Sequence, residues 1–364
     1  MKKILALVLA LCMVFALCAC GQQAAAPAAA PAAEAPAAEE AAAPAEEAPA
    51  AEEPAAAATH KLGMGVVVST DSTADANAQV DATVAAVVVD ANGVIEACAI
   101  DCAQNKMDVT EGTVDTAKTF LSKMELGDDY NMVKFSGCTY EWYEQAAAFA
   151  AYCVGKTAAD IEGMETVVNE EGHQVTVDEE LYATCSISIG DFIGAVVKAC
   201  NDEWAKEFTA DSFKLGVACI SDASESTDPT DDADGSVNMY TNFGAAAVAE
   251  DGTVLASVND AIQPKIAFTK DGAVGEATFN GTKRELGENY NMVKFAGAIA
   301  EWDAQSDAFS TYITGKTAAD IEGLETEINE EGNAVSTDPE LLAGCTMSIA
   351  PMQAVVVKAI GNAK

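Results

Sequence analysis

The sequence predicts an α+β fold made twice: two tandem copies of a small antiparallel sheet packed with helices. Three observations predict it. First, the chain repeats itself. Glu125–Phe135 (ELGDDYNMVKF) returns as Glu285–Phe295 (ELGENYNMVKF), and Gly155–Gly163 returns unchanged as Gly315–Gly323, both at an offset of 160. Second, each copy opens with β-branched, apolar runs broken by Asn92-Gly93 or Asp251-Gly252, the dipeptides that favour two-residue hairpin turns. Third, the later part of each copy changes to helical spacing. Strands first and helices later is the α+β order.

The copies start at Lys61-Leu62-Gly63 and Lys214-Leu215-Gly216, only 153 apart, so copy two is longer in its early loops. Copy one is read as 61–200 and copy two as 214–361, joined by a short connector, 201–213. In copy one, 82–90 and 94–101 form a hairpin, with a third extended piece near 106–110. In copy two the equivalents are 244–250, 253–259 and 265–269, with Asp271-Gly272 as a further turn. Trp142, Ala146, Phe149 and Cys153 make one helical stripe that stops at Gly155. Thr157 with Asp160 reads as an N-cap with an acidic third residue. Asp338-Pro339 and Pro351 suit a cap and first turns. The last helices span about 191–200 and 351–360, with Lys198 and Lys358 near their negative ends.

Ahead of the copies lies Met1-Lys2-Lys3, then an apolar run from Ile4 to Ala19 that is short for a bilayer span. It ends in Leu17-Cys18-Ala19-Cys20-Gly21, which resembles the bacterial lipobox. That resemblance implies a signal peptide, 1–19, removed before Cys20. It also implies a Cys20 that becomes the new N-terminus and carries acyl chains such as palmitate. Two chains on one residue suffice for stable anchoring. The protein would then sit lipid-anchored on the outer, extracytoplasmic face of the membrane. Residues 20–59 read as the lipidated cysteine and a disordered Ala/Pro/Glu-rich stalk, because such a composition cannot bury enough apolar surface to offset ordering. Fully extended, this stalk reaches on the order of 120 Å.

Loss of Lys2 and Lys3 takes the formal charge from −39 to −41, and setting aside seven stalk glutamates leaves −34. Such a surface repels nucleic acid, which is excluded as a partner. Of eleven cysteines, Cys12 and Cys18 leave with the signal and Cys20 takes the lipid. Cys98 and Cys102 are too far apart along a strand to bridge. The rest read as small buried hydrophobes. No metal site is expected: C-x-x-C pairs are absent from the mature chain, and the only histidines are His60 and His173. For the same reason no Ser-His-Asp set can exist in each copy, and no catalytic residue is assigned.

The order of hairpin, helices and a small polar loop entering a C-terminal helix is similar to the bacterial FMN-binding domain family. The family's loop reads D-x-x-S-G-A-T, and its Thr takes FMN through a phosphoester. The matching stretches are Glu340–Thr346 (ELLAGCT) and Glu180–Ser186 (ELYATCS). Copy two keeps Gly344 and Thr346, with Glu340 for the acid; copy one keeps only a hydroxyl, Ser186. The resemblance therefore implies FMN as cofactor, held through Glu340, Gly344, Thr346 and Ser348, with Ser186 and Ser188 as the copy-one counterparts. Independently of the family, hydroxyls before a helix N-terminus are placed to meet an anion. Against this stand Asp191 in copy one and Pro351, which removes a donor, in copy two.

Two functions stay open from the sequence. One is a surface lipoprotein that binds flavin or another small ligand, at most a redox carrier for extracytoplasmic electron transfer. The other is a non-catalytic spacer, adhesion or envelope-assembly module that meets a surface protein. Trp142 and Trp302 are expected in the cores. The repeated Tyr130–Lys134 and Tyr290–Lys294 segments are expected to be structural turns, and the aspartates of 221–235 a solvated insertion.

Overall fold

Copy one begins with three long strands: β1 (Ala58–Ser69), β2 (Asn77–Val89) and β3 (Ile95–Asp108). In this computed structural model residues 58–364 are described, except 72, 75 and 331; the signal segment, Cys20 and the stalk up to 57 lie outside the described residues. The stalk's last two residues, Ala58 and Thr59, already belong to β1. Gly93 makes the β2–β3 turn at φ +78°, and Asp90 caps it by accepting from the Asn92 and Val94 N–H groups.

Helices follow: α1 (Lys123–Leu126), α2 (Met132–Ser136), α3 (Trp142–Cys153) and α4 (Ala158–Glu162). A two-strand hairpin of β4 (Thr166–Val168) and β5 (Gln174–Thr176) leads to α5 (Glu179–Tyr182) and α6 (Gly190–Cys200). Ser122 with Glu125, and Thr157 with Asp160, form reciprocal caps of α1 and α4. The connector is more than a link. Its strand β6 (Lys206–Ala210) pairs with β1, giving a sheet ordered β3-β2-β1-β6.

Copy two repeats the plan with β7 (Lys214–Asp222), β8 (Gly235–Asn238), β9 (Tyr240–Val248), β10 (Val254–Ile262), β11 (Lys265–Phe268) and β12 (Val274–Thr278). Its main sheet is ordered β10-β9-β7, and β12-β11-β8 form a second small sheet. Then come α7 (Lys283–Leu286), α8 (Met292–Ala296), α9 (Trp302–Tyr312) and α10 (Ala318–Glu322). The hairpin β13 (Thr326–Ile328)–β14 (Ala334–Ser336), α11 (Pro339–Leu342) and α12 (Ala350–Asn362) complete it. The α+β class read from the sequence is what the chain adopts. The aspartates of 221–235 are partly tied down: Asp228 accepts from the Val114 N–H at 2.8 Å, and Asp231 pairs with Lys270.

Side-chain alternation explains how the copies meet. On β2, Ala78, Val80, Ala82, Val84, Ala86 and Val88 point to one face, and Ala85, Val87 and Val89 to the other. The second set packs on Trp142, Phe149, Ile161 and Phe192 of the copy-one helices. The first set packs on Phe243, Ala245, Ala247, Val258 and Ile262 of copy two. On β9, Ala246 and Val248 turn the other way, towards Trp302, Phe309 and Val355. A strand apolar on both faces must be covered on both. The layers therefore run helices, sheet, sheet, helices, and the described residues 58–364 form one compact unit with a core shared between the copies.

The contact is reciprocal. Lys198 Nζ lies 2.7 Å from Glu285 Oε1, and Lys358 Nζ lies 2.7 Å from Glu125 Oε1, so each copy's last helix reaches the other copy's first. Each lysine also donates to a strand carbonyl of its own copy, Val66 at 3.0 Å or Cys219 at 2.7 Å. Lys198 and Glu285 are about half exposed, so their pair sets orientation more than stability. The eight cysteines of the described part are free thiols, five of them buried.

Candidate functional clefts

Each copy carries a cleft at the same place, between its short second helix, its two-strand hairpin and the loop that enters its last helix. The short helix is shaped by its sequence. Asn131 and Asn291 stand in the left-handed region, at φ 58° and 60°, which asparagine tolerates better than most residues. Their chains then turn into α2 and α8, whose first N–H groups are taken by the protein's own carboxylates. Glu141 accepts from Met132 at 2.7 Å and Val133 at 3.2 Å; Glu301 does the same for Met292 and Val293 at 2.8 and 3.2 Å.

The loop is fastened from below by a buried glutamine. Gln305 donates through Nε2 to the Ala300 carbonyl at 2.8 Å, which fixes its amide orientation. Its Oε1 accepts from the N–H groups of Thr346 at 2.8 Å and Met347 at 3.1 Å. Gln145 repeats this in copy one, donating to the Tyr140 carbonyl at 2.8 Å and accepting from Ser186 N–H at 2.9 Å. Both glutamines are fully buried. The sequence reading passed over them, although both stand in E-W-x-x-Q at the repeat offset of 160.

The hydroxyls of Ser186 and Thr346 point at the same amide oxygens, 3.5 and 3.4 Å away. An amide oxygen cannot act as a general base, so neither hydroxyl is set up as a nucleophile. The copy-two cleft encloses about 360 Å³ and is walled by Met292, Ile299, Glu330, Thr346 and Met347. The copy-one cleft encloses about 260 Å³, with Lys123, His173, Ser186, Ser188 and Asp191 on its wall. There the Asp191 carboxyl is pushed up by burial and by the neighbouring Asp81 and Asp71, while Lys123 acts the other way.

Of the sequence-nominated residues, Thr346, Ser186 and Ser188 therefore line clefts. Glu340, Gly344 and Ser348 are not among the lining residues. Glu340 sits in the first turn of α11 with its N–H donating to the Asp338 cap. Gly344 serves packing: a Cβ there would stand 2.8 Å from the Cβ of Ala308 on α9. Cys20 lies outside the described residues.

For FMN, the two ends of the cofactor fare differently. The ring matches a cleft of this size with methionine and isoleucine walls. In copy two the phosphate does not fit: the Thr346 and Met347 N–H groups are spent on Gln305, Glu330 stands nearby, and no Lys, Arg or His is among the described lining residues, whereas the copy-one cleft has Lys123 and His173 on its wall beside Asp191. Comparison of the chain with protein-family models, with curated proteins and with solved structures finds no match.

Proposed function

We propose that this is a surface lipoprotein, anchored through Cys20, whose paired clefts bind a small ring-bearing ligand without transforming it. One observation carries the reading. A cleft is built twice, at equivalent places in the two copies, and its floor is locked by the same buried glutamine in each copy. Flavin is the ligand class that the family resemblance nominates, and a redox-carrier role would follow from it.

The phosphate mismatch makes the test specific. At the copy-two cleft, riboflavin, which lacks the phosphate, is expected to raise the melting temperature at least as much as FMN does, because the Thr346 and Met347 N–H groups there are already taken by Gln305. Thr346→Ala is expected to leave riboflavin binding nearly unchanged. A rise with FMN alone, or FMN mass on the Thr346 peptide, would mean that the loop opens to a phosphate. No rise with either compound would leave the spacer or adhesion reading, which the exposure of Phe135 (77%) and Phe295 (78%) on α2 and α8 favours.

Attachment has its own test. Among the described residues no helix is long and apolar enough to cross a membrane. If Cys20 is the anchor, Cys20→Ser with the signal segment removed is expected to leave the membrane fraction in a high-salt wash; retention of that chain would refute anchoring at Cys20.

A further inference from the structure

The two copies treat one lysine differently, half-buried in copy one and buried in copy two. Lys123 and Lys283 open α1 and α7 at equivalent positions, and each ammonium lies over aromatic rings. In copy one the rings are Tyr130 and Trp142, at 5.1 and 5.3 Å. In copy two they are Tyr240, Tyr290 and Trp302, at 4.5, 4.7 and 5.5 Å. The difference lies in the facing strand. Asp81 pairs with Ser69 on β1, and Tyr240 pairs with Asp222 at the same register position on β7. Copy two has thus replaced a carboxylate by a phenol, to which Lys283 Nζ is hydrogen-bonded at 2.9 Å.

We propose that Lys283 is a reactive amine that condenses with a small aldehyde or ketone. The carbonyl compound would enter through the adjoining cavity of about 210 Å³, lined by Gln263, Thr278, Phe279, Leu286 and Tyr290, with Lys265 also on its wall. The cavity admits a small compound, and its wall sets Phe279, Leu286 and Tyr290 beside the polar Gln263, Thr278 and Asn280. In the reaction the Nζ lone pair bonds to the carbonyl carbon. The carbonyl oxygen takes up the two amine protons and leaves as water, giving an imine with no oxidant or reductant consumed.

The amine must be neutral to attack, and burial favours that, against the ring faces, which favour the ammonium. Lys283 is only 7% exposed, and burial lowers its pKa to about 8, against the smaller opposing pull of Glu225 and Asp260. Both carboxylates are engaged elsewhere. Glu225 accepts from Asn238 and Gln263, each at 2.9 Å, and Asp260 from the Ala261 and Arg284 N–H groups at 2.7 and 3.1 Å. Tyr240 and Tyr290 are both held above the usual phenol value, by burial first, so they face the lysine uncharged. In Lys123 burial also acts downward, but its neighbours, Cys102, Tyr130 and Asp81 among them, keep the pKa raised. Lys123 is therefore a control within the same molecule.

The test uses the intact mature protein with acetaldehyde and cyanoborohydride, which traps an imine as an ethyl group, read lysine by lysine by peptide mass spectrometry. At pH 8 Lys283 is expected to react about tenfold faster than Lys123, and its rate to rise with a midpoint near pH 8. Tyr240→Asp, which restores the copy-one arrangement, is expected to slow Lys283 about fivefold or more while Lys123 keeps its rate. Lys283→Arg should abolish the fast adduct. Equal rates at Lys283 and Lys123, or a Lys283 profile with its midpoint above pH 10, would overturn the proposal without any variant having to fold.

Discussion

Residues 58–213 produced without the second repeat are expected to be unable to exist as a stable monomer. Their sheet would expose Leu62, Met64, Val66, Val80, Val84 and Val88, all now buried and most of them covered by copy two. A contiguous apolar face of that kind exceeds what soluble monomers present to water. Sedimentation velocity should show dimers or larger species, with the free face satisfied by a second copy of itself. A monomer that unfolds cooperatively would refute the shared core. Within the whole chain the same argument predicts one transition. Phe243→Ala removes a fully buried ring from the inter-sheet core and is expected to cost about 3–5 kcal/mol. Calorimetry should show both copies melting together at a lower temperature, whereas independent copies would leave a copy-one transition in place.

The second large effect comes from a single methyl group. A Cβ on Gly216 would stand 1.9 Å from the Ala359 carbonyl oxygen, and one on Gly63 2.0 Å from that of Ala199. In both copies the first strand touches the backbone of the last helix, and a helix carbonyl cannot step aside as a flexible side chain can. Gly216→Ala should push α12 off β7 and destabilise the fold by about 1–3 kcal/mol or more. Gly361→Ala, in the last turn of the same helix with open space around it, is the control. It should be neutral or stabilise by up to about 1 kcal/mol through better helix propensity. Equal melting temperatures for the two variants would mean that strand and helix are not in contact.

Much of this architecture was legible because it is local. Gly93 and Gly252 turn where Asn-Gly and Asp-Gly predict, Thr157 caps with Asp160, and Trp142 and Phe149 fall on the buried stripe with Trp302 and Phe309. Each of these depends on residues within a few positions of one another. The site was legible only in part. A glycine and a threonine before a helix signal a ligand loop, but they signal tight packing equally well, and Ala308 decides for Gly344.

From the sequence alone come the duplication, the α+β order, the turns, the caps and the β-branched apolar runs that become strands. Tertiary structure alone decides what covers the second face of each sheet. It brings Gln305 across forty-one residues to consume the loop donors of Thr346, and it crosses Lys198 and Lys358 to the opposite copies. The physical reason is that periodicity records that a side chain is buried, whereas its partner is chosen by how the layers stack. Asp81 and Tyr240 occupy one register position in two copies of one sheet, and in copy two the hydrogen bond from Lys283 gives the exchange a consequence.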